Sequence, residues 1–366
     1  MMIIGVVGLG TMGLGIAQVF AAAGYRVFAT DALEPARASA KSRLRASLEP
    51  RVAKGALAQD ALDAVLSNLR IVPILQDLSP AALIVEAIVE TLPAKRTLFA
   101  ALAACISLQT ILATNTSSLS VGAIAQGLTH PERVLGLHFF NPAPAMKLVE
   151  LVAHAGTAPT ALMLARRVTE AAGKTVITCP DSPGFIVNRC ARPFYGEALA
   201  LLEEGRTASE IDAAMLAAGY KIGPLSLIDL IGADINLAAT QSLQTALNHP
   251  RYHVFDALKA QVVAGHLGRK SGQGFLFPAQ PGPPPPDAAA IALRIEATLA
   301  NEAAWLLAEG GVSAEGIDQA LKLGLNLPRG PIEITTQHTA DKITATLAEL
   351  ESKAPAHLKS RYLQPA

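Results

Sequence analysis

The sequence has no surplus of charge of either sign: 30 Lys and Arg stand against 30 Asp and Glu in 366 residues. Phosphate neutralisation needs a basic excess, and no dense Lys/Arg cluster supplies one locally, so nucleic-acid binding is not expected. Cysteine is scarce as well, with Cys105, Cys179 and Cys190 widely spaced and no C-x-x-C pair. Such a set builds neither a disulfide framework nor a zinc site, and suggests free buried thiols in a reducing, cytoplasmic setting. Charged residues make up only 16% against 51% hydrophobic, which excludes an extended disordered chain. The 28 Gly and 24 Pro are spread too widely for a collagen-like or low-complexity class. From Met1 to Tyr25 no side chain is charged. No basic segment precedes that stretch, as a secretory signal requires, and Gly5, Gly8, Gly10, Gly13 and Gly15 interrupt it. It reads as a buried strand, turn and helix, not as a membrane span.

What is present points to two domains, the usual content of a chain this long. Short β-rich runs alternate with Ala/Leu-rich helical stretches up to about residue 180: Met2–Val7, Arg26–Thr30, Leu83–Glu86, Thr110–Thr114, Val134–His138, Leu148–Val152 and Thr175–Cys179. Helical patterns such as Leu14–Ala23 and Pro93–Ala104 lie between them. Alternation of this kind predicts an α/β, Rossmann-type domain with a mostly parallel sheet covered on both faces. Runs such as Ile-Ile-Gly-Val-Val lack polar alternation, as strands buried on both sides do.

After Cys179 the pattern becomes helical throughout, with Asp181-Ser182-Pro183 reading as a helix start. The expected organisation is a nucleotide domain over residues 1–181 and an all-α remainder. A Pro-rich break at Pro281–Pro286 divides that remainder into residues 182–280 and 287–366. The segment Glu197–Met215 resembles Glu302–Leu321, and Gly223-Pro224 recurs as Gly330-Pro331, at an offset drifting from 105 to 107 residues. Two copies of one helical unit are therefore expected, packed on each other.

Gly8-Leu9-Gly10-Thr11-Met12-Gly13 follows the first strand and opens a helix. G-x-G-x-x-G is weak alone and strong in that context. Gly8 permits the tight turn, Gly10 lets backbone approach a pyrophosphate, and Gly13 allows close helix–strand packing. Free N–H groups at the helix start then face the phosphates. Asp31 ends the second strand, where a carboxylate binds ribose hydroxyls and repels a 2′-phosphate. Its neighbour Ala32 offers no compensating cation, so NAD is favoured over NADP.

Ligands of such sheets sit beyond the carboxyl ends of the strands. There the sequence places Asn115-Thr116-Ser117-Ser118 after one strand and His138 at the end of another. A lone histidine is more often structural, but this one ends a strand on the cofactor side. If the chain turns at Asn141-Pro142-Ala143-Pro144 and returns, Glu150 comes beside the imidazole, orienting it and stabilising its protonated form. An ordinary solvated strand residue is the alternative for Glu150.

GLGTMG, Asp31, VEAIVE (Val85–Glu90), TNTSSL (Thr114–Leu119), GLHFFNP (Gly136–Pro142), MKLVE (Met146–Glu150) and SPGFIVNR (Ser182–Arg189) occur in order. Over roughly residues 2–280 the chain resembles the L-3-hydroxyacyl-CoA dehydrogenases of fatty-acid β-oxidation. The resemblance implies oxidation of (S)-3-hydroxyacyl-CoA to 3-oxoacyl-CoA with NAD. It implies His138 as base, Glu150 as its orienting partner, Ser117 on the substrate oxygen and Asn188 on the acyl group. Glu90, Lys95, Asn115, Asn141 and Lys270 would contact NAD together with Gly8, Gly10, Thr11, Met12, Gly13 and Asp31. Ser47 and Lys54 would contact coenzyme A, on the loosest match. The second helical copy places Leu293 where the first has Asn188, so it carries no second asparagine. A homodimer through the helical domain, or its replacement within one chain, is open. Relatives acting on gulonate or carnitine differ around His138 and Glu150, and a non-catalytic, crystallin-like relative would not need that pair.

Overall fold

The computed structural model describes residues 2–365, which form two compact units, one ending at Phe185 and one beginning at Ile186. The first unit is built on eight strands: β1 (Ile3–Val7), β2 (Arg26–Thr30), β3 (Leu69–Ile71), β4 (Leu83–Glu86), β5 (Ile111–Thr114), β6 (Val134–Phe139), β7 (Leu148–Ala153) and β8 (Thr175–Pro180). Their order in the sheet is 3-2-1-4-5-6-7-8. Every pairing is parallel except β6 with β7. The order reverses between β1 and β4, which opens a crevice beyond their carboxyl ends. Helices Thr11–Ala22 and Gln59–Asn68 lie against the sheet through Ile16, Phe20, Leu62 and Val65, all in the core. No helix among the described residues is long and apolar enough to cross a membrane. The uncharged N-terminal stretch divides instead into β1, the glycine turn and a helix.

Two expectations need correction. The edge strand β3 went unread because three residues, Leu-Arg-Ile, show no period, and Arg70 at its centre is exposed. The helix start at Asp181-Ser182-Pro183 does not form. Asp181 instead accepts hydrogen bonds from Val121 N (2.9 Å) and Gly122 N (2.8 Å), so its carboxylate caps another helix, Val121–Ala125. The chain then turns through Gly184 (φ 75°) and Phe185 (φ 49°) before its first helical turn, Val187–Cys190. A phenylalanine in the left-handed region is strained. It is held there by burial at 2% exposure.

The second unit is helical among the described residues, and its two halves make matching bonds at matching positions. Asp212 accepts from Leu225 N and Ser226 N at the start of helix Pro224–Ile231 (3.0 and 2.7 Å). Asp318 does the same for Ile332 N and Glu333 N at the start of Pro331–His338 (2.7 and 3.2 Å). Gly223 and Gly330 are required there, because a Cβ would lie 2.3 and 2.2 Å from those carboxyl carbons.

The ion pairs between the halves are exchanged. Arg189 of the first half binds Glu302 (2.8 Å) and, with both terminal nitrogens, Glu309 of the second (2.5 and 2.7 Å). Arg294 of the second binds Glu197 and, again with both, Glu204 of the first, all at 2.6 Å. Arg251 and Tyr252 reach Glu302, as Arg361 and Tyr362 reach Glu197. Contact of i with j answered by the equivalent of j with the equivalent of i is the pattern of a two-fold interface, here within one chain. Glu197 and Glu302 are fully buried. Burial and the Glu197 charge push the Tyr362 hydroxyl up to about 12, so it stays protonated and donates. Removing the Glu302 carboxylate strands the Arg251 guanidinium and leaves Arg189 with Glu309 alone. Glu302→Gln is expected to lose about 3–5 kcal/mol of unfolding free energy. A urea-unfolding loss below 1 kcal/mol would mean that the cluster contributes little.

Candidate active site

The turn after β1 carries the features of a dinucleotide cradle. Gly8 has φ 96°, and a Cβ there would lie 2.5 Å from Ala87 O. A Cβ on Gly13 would meet Gly8 O at 1.8 Å, whereas Gly10 has open space where its Cβ would be. Gly8 and Gly13 therefore close the turn, and Gly10 leaves room for a ligand above the backbone. Thr11 and Met12 begin the helix whose first N–H groups have no partner within it. Asp31 accepts from Leu9 N (2.7 Å) and Leu33 N (2.8 Å), which fixes its carboxylate beside the turn. A mostly apolar cleft of about 750 Å³ adjoins it, lined by Val7, Thr30, Ile74, Ile88 and Leu98. These residues fit an adenine and its ribose next to a pyrophosphate site.

Two cations here went unread. Arg43 donates to Leu9 O (2.8 Å) and braces the glycine turn from helix Glu34–Ala53. Arg37 donates to Asp31 O (2.5 Å) and Ala32 O (3.2 Å). Ala32 itself offers no cation, but one stands near Asp31 all the same. The helix supplies one from residue 37, where consecutive sequence gave no sign of it.

The antiparallel pairing of β6 and β7 sets His138 directly opposite Glu150. Directly opposed side chains on one face meet, and His138 Nδ1 lies 2.7 Å from Glu150 Oε2. Glu150 is fully buried and His138 is 6% exposed. An ionised carboxylate only accepts, so Nδ1 carries the hydrogen and Nε2 is left as the basic atom. Phe140 and Phe185 flank the imidazole, with ring centroids 4.5 and 5.8 Å away. The strained backbone at Phe185 therefore places a ring against His138.

Since β5 neighbours β6, the loop Asn115–Ser118 leaves the same sheet edge. Asn115 Oδ1 accepts from Phe139 N (2.8 Å), tying that loop to the strand of His138. Glu90 accepts from Thr116 Oγ1 (2.6 Å), Ser117 N (2.8 Å) and Ser118 Oγ (3.3 Å). Lys95, 1% exposed, bridges Glu90 (3.1 Å) and the buried Glu86 (2.6 Å), which also accepts from Thr114 Oγ1. Burial raises the Glu90 carboxyl, but Thr116, Lys95 and Ser117 together hold it below its ordinary value. Glu90 and Lys95 thus meet Ser117 through this network, a link that spacing did not show.

Asn141 is exposed, just beyond β6. Ser47 and Lys54 are exposed, two turns apart at the end of helix Glu34–Ala53, with Ser47 Oγ donating to Leu44 O. Asn188 and Lys270 belong to the helical unit. Asn188 is half-buried in the turn Val187–Cys190, and Lys270 pairs with Asp234 (2.5 Å). Of the thiols, Cys179 and Cys190 are buried and Cys105 is half-buried, not fully buried as expected.

A doubly wound sheet, a glycine turn and an acid after β2 define a Rossmann-type, dinucleotide-binding oxidoreductase. The NAD-binding domain of 3-hydroxyacyl-CoA dehydrogenases matches residues 3–182, and the C-terminal domain of the same enzymes matches residues 184–277 and 291–364. The chain belongs to the 3-hydroxyacyl-CoA dehydrogenase family. It is 44% identical to the 3-hydroxyadipyl-CoA dehydrogenase of Escherichia coli over 74% of this chain, a match spanning only 58% of that relative. A probable 3-hydroxybutyryl-CoA dehydrogenase of Deinococcus radiodurans is 39% identical over 74% of this chain and 98% of its own length. The crystal structure of a 3-hydroxybutyryl-CoA dehydrogenase from Escherichia coli superposes with a TM-score of 0.92 at 32% identity, covering 100% of this chain and 97% of that one.

Two outcomes follow. Asp31→Ala is expected to weaken NADH binding about tenfold and improve NADPH binding, because Arg37 stays behind; an unchanged ratio of dissociation constants would remove Asp31 from cofactor choice. Burial, Glu150 and Asp181 together push the Cys179 thiol well up. Native protein at pH 8 should therefore leave Cys179 unalkylated until denaturant is added, and rapid native labelling mapped to Cys179 would contradict this.

Proposed function

We propose that this chain oxidises (S)-3-hydroxyacyl-CoA to 3-oxoacyl-CoA, with His138 as general base. The observation that carries this reading is the 2.7 Å contact between His138 Nδ1 and the buried Glu150. NAD, when bound, supplies the hydride acceptor. His138 Nε2 takes the hydroxyl proton, and the Glu150 carboxylate holds the ring and balances the imidazolium that forms. Ser117, whose backbone is clamped by Glu90, and Asn188 hold the substrate oxygens. Gly8, Gly10, Thr11, Met12, Gly13 and Asp31 bind the dinucleotide. Asn115, Asn141, Glu90, Lys95 and Lys270 shape or complete its site, and Ser47 and Lys54 take the coenzyme A end. Three free thiols agree with a reducing compartment such as the cytoplasm. A homodimer through the helical unit would compete with the two-fold pairing already made inside the chain.

The relatives are named for different acyl groups: butyryl ends in a methyl, and adipyl ends in a second carboxylate. A non-catalytic role, or one on a free hydroxy acid, predicts no turnover of acetoacetyl-CoA with NADH. The base assignment has its own test. His138→Gln should keep NADH binding, followed by fluorescence, and lower kcat by about 10²–10⁴-fold. Turnover within a few-fold of the parent would exclude His138 as base.

A further inference from the structure

Most deeply buried guanidinium groups of the helical unit are met by a carboxylate: Arg189 and Arg251 by Glu302, and Arg361 by Glu197. Arg192 is not. It is 7% exposed, at the start of helix Arg192–Glu203. Its hydrogen bonds go to neutral oxygens: Nε to Asn188 O (3.0 Å), and Nη1 to Thr240 Oγ1 (3.2 Å) and Asn236 O (3.4 Å). The Tyr195 ring lies 4.9 Å from its central carbon. Burial lowers the guanidinium from its ordinary value, with only Tyr195 acting against it.

Beside it, on helix Ala233–Leu247, Asn236 is 2% exposed, and neither its side-chain oxygen nor its nitrogen has a hydrogen-bond partner. Buried polar groups are normally satisfied, and an orphaned pair of this kind is costly unless something serves it. A buried cation without an anion is costlier still. A carboxylate is the simple group that meets the cation and the orphaned donor together, accepting from the guanidinium and from Asn236 Nδ2.

Position says where such a carboxylate comes from. Arg192 lies four residues after Asn188, which the proposed function places on the acyl group. Four residues of helix rise about 6 Å, a span comparable to a short acyl chain. Resting on that reading, we propose that Arg192 and Asn236 bind the far end of the acyl chain, and that this end is a carboxylate. The preferred substrate is then the CoA thioester of a 3-hydroxy dicarboxylic acid, and these two residues set specificity for it. Thr240 and Tyr195 are positioning residues that hold the guanidinium in place.

The test compares two six-carbon thioesters that differ only at the far end: 3-hydroxyhexanoyl-CoA, with a methyl, and the CoA thioester of 3-hydroxyhexanedioic acid, with a carboxylate. In the parent enzyme kcat/KM should favour the carboxylate by roughly 10- to 100-fold, the range of a charge-assisted hydrogen bond. Arg192→Met should bring the ratio to about one or below, and Arg192→Lys should leave it in between. A merely structural Arg192 would lower both substrates together and keep the ratio. Should Arg192→Met fail to fold, Asn236→Leu tests the same ratio, with a several-fold fall expected. A parent enzyme that prefers the methyl end, or a ratio unmoved by both variants, overturns the specificity while leaving the dehydrogenase reading intact. Loss of turnover on both thioesters in the parent removes that reading, and the specificity with it.

Discussion

The antiparallel register of the sixth and seventh strands is the constraint on which the site depends. A parallel sixth and seventh strand would carry His138 and Glu150 to separate places; the one reversed pairing sets them opposite each other. Burying a carboxylate completely is costly. Here the imidazole satisfies it, and the direction of that bond assigns the hydrogen to Nδ1 and the basic lone pair to Nε2. A one-residue slip of the seventh strand would turn Glu150 to the opposite face from His138. Val149 and Leu151, which flank Glu150 in the seventh strand, are fully buried and oppose such a slip.

A second organising device is the acid network under the loop after the fifth strand. Glu86, Lys95 and Glu90 form a chain from the sheet interior to the backbone of Ser117. An ammonium between two carboxylates offsets part of the desolvation that either would suffer alone. The result is a polar loop held rigidly at the carboxyl edge of a parallel sheet, where groups that must orient a substrate need support.

The helical unit obeys a different logic. Its two halves exchange equivalent ion pairs, so each supplies the counter-charges that the other buries. Arg192 and Asn236 stand outside this exchange. Asn188, their neighbour, is matched in the second half by Leu293. The symmetric residues hold the halves together, and Arg192 and Asn236 take no part in that pairing.

Much of this was legible in the residues themselves. Strand–helix alternation, the glycine turn and Asp31 follow from local rules about period, backbone freedom and charge, which act over a few residues. The matching of Glu197–Met215 with Glu302–Leu321 was visible for the same reason. The third strand was not, because three residues carry no period. Asp181 was misread because a capping side chain serves a helix start sixty residues earlier as readily as its own. Arg37 escaped because a helix brings residue 37 back over residue 31. Local sequence thus determined the elements, the nucleotide turn and the candidate residues. Tertiary structure alone decided which of them meet: His138 with Glu150, Ser117 with Glu90, Arg189 with Glu302, and Arg192 with no carboxylate. Contacts between distant residues depend on strand register and helix packing, and these are set by burial over the whole core, not by any short stretch of chain.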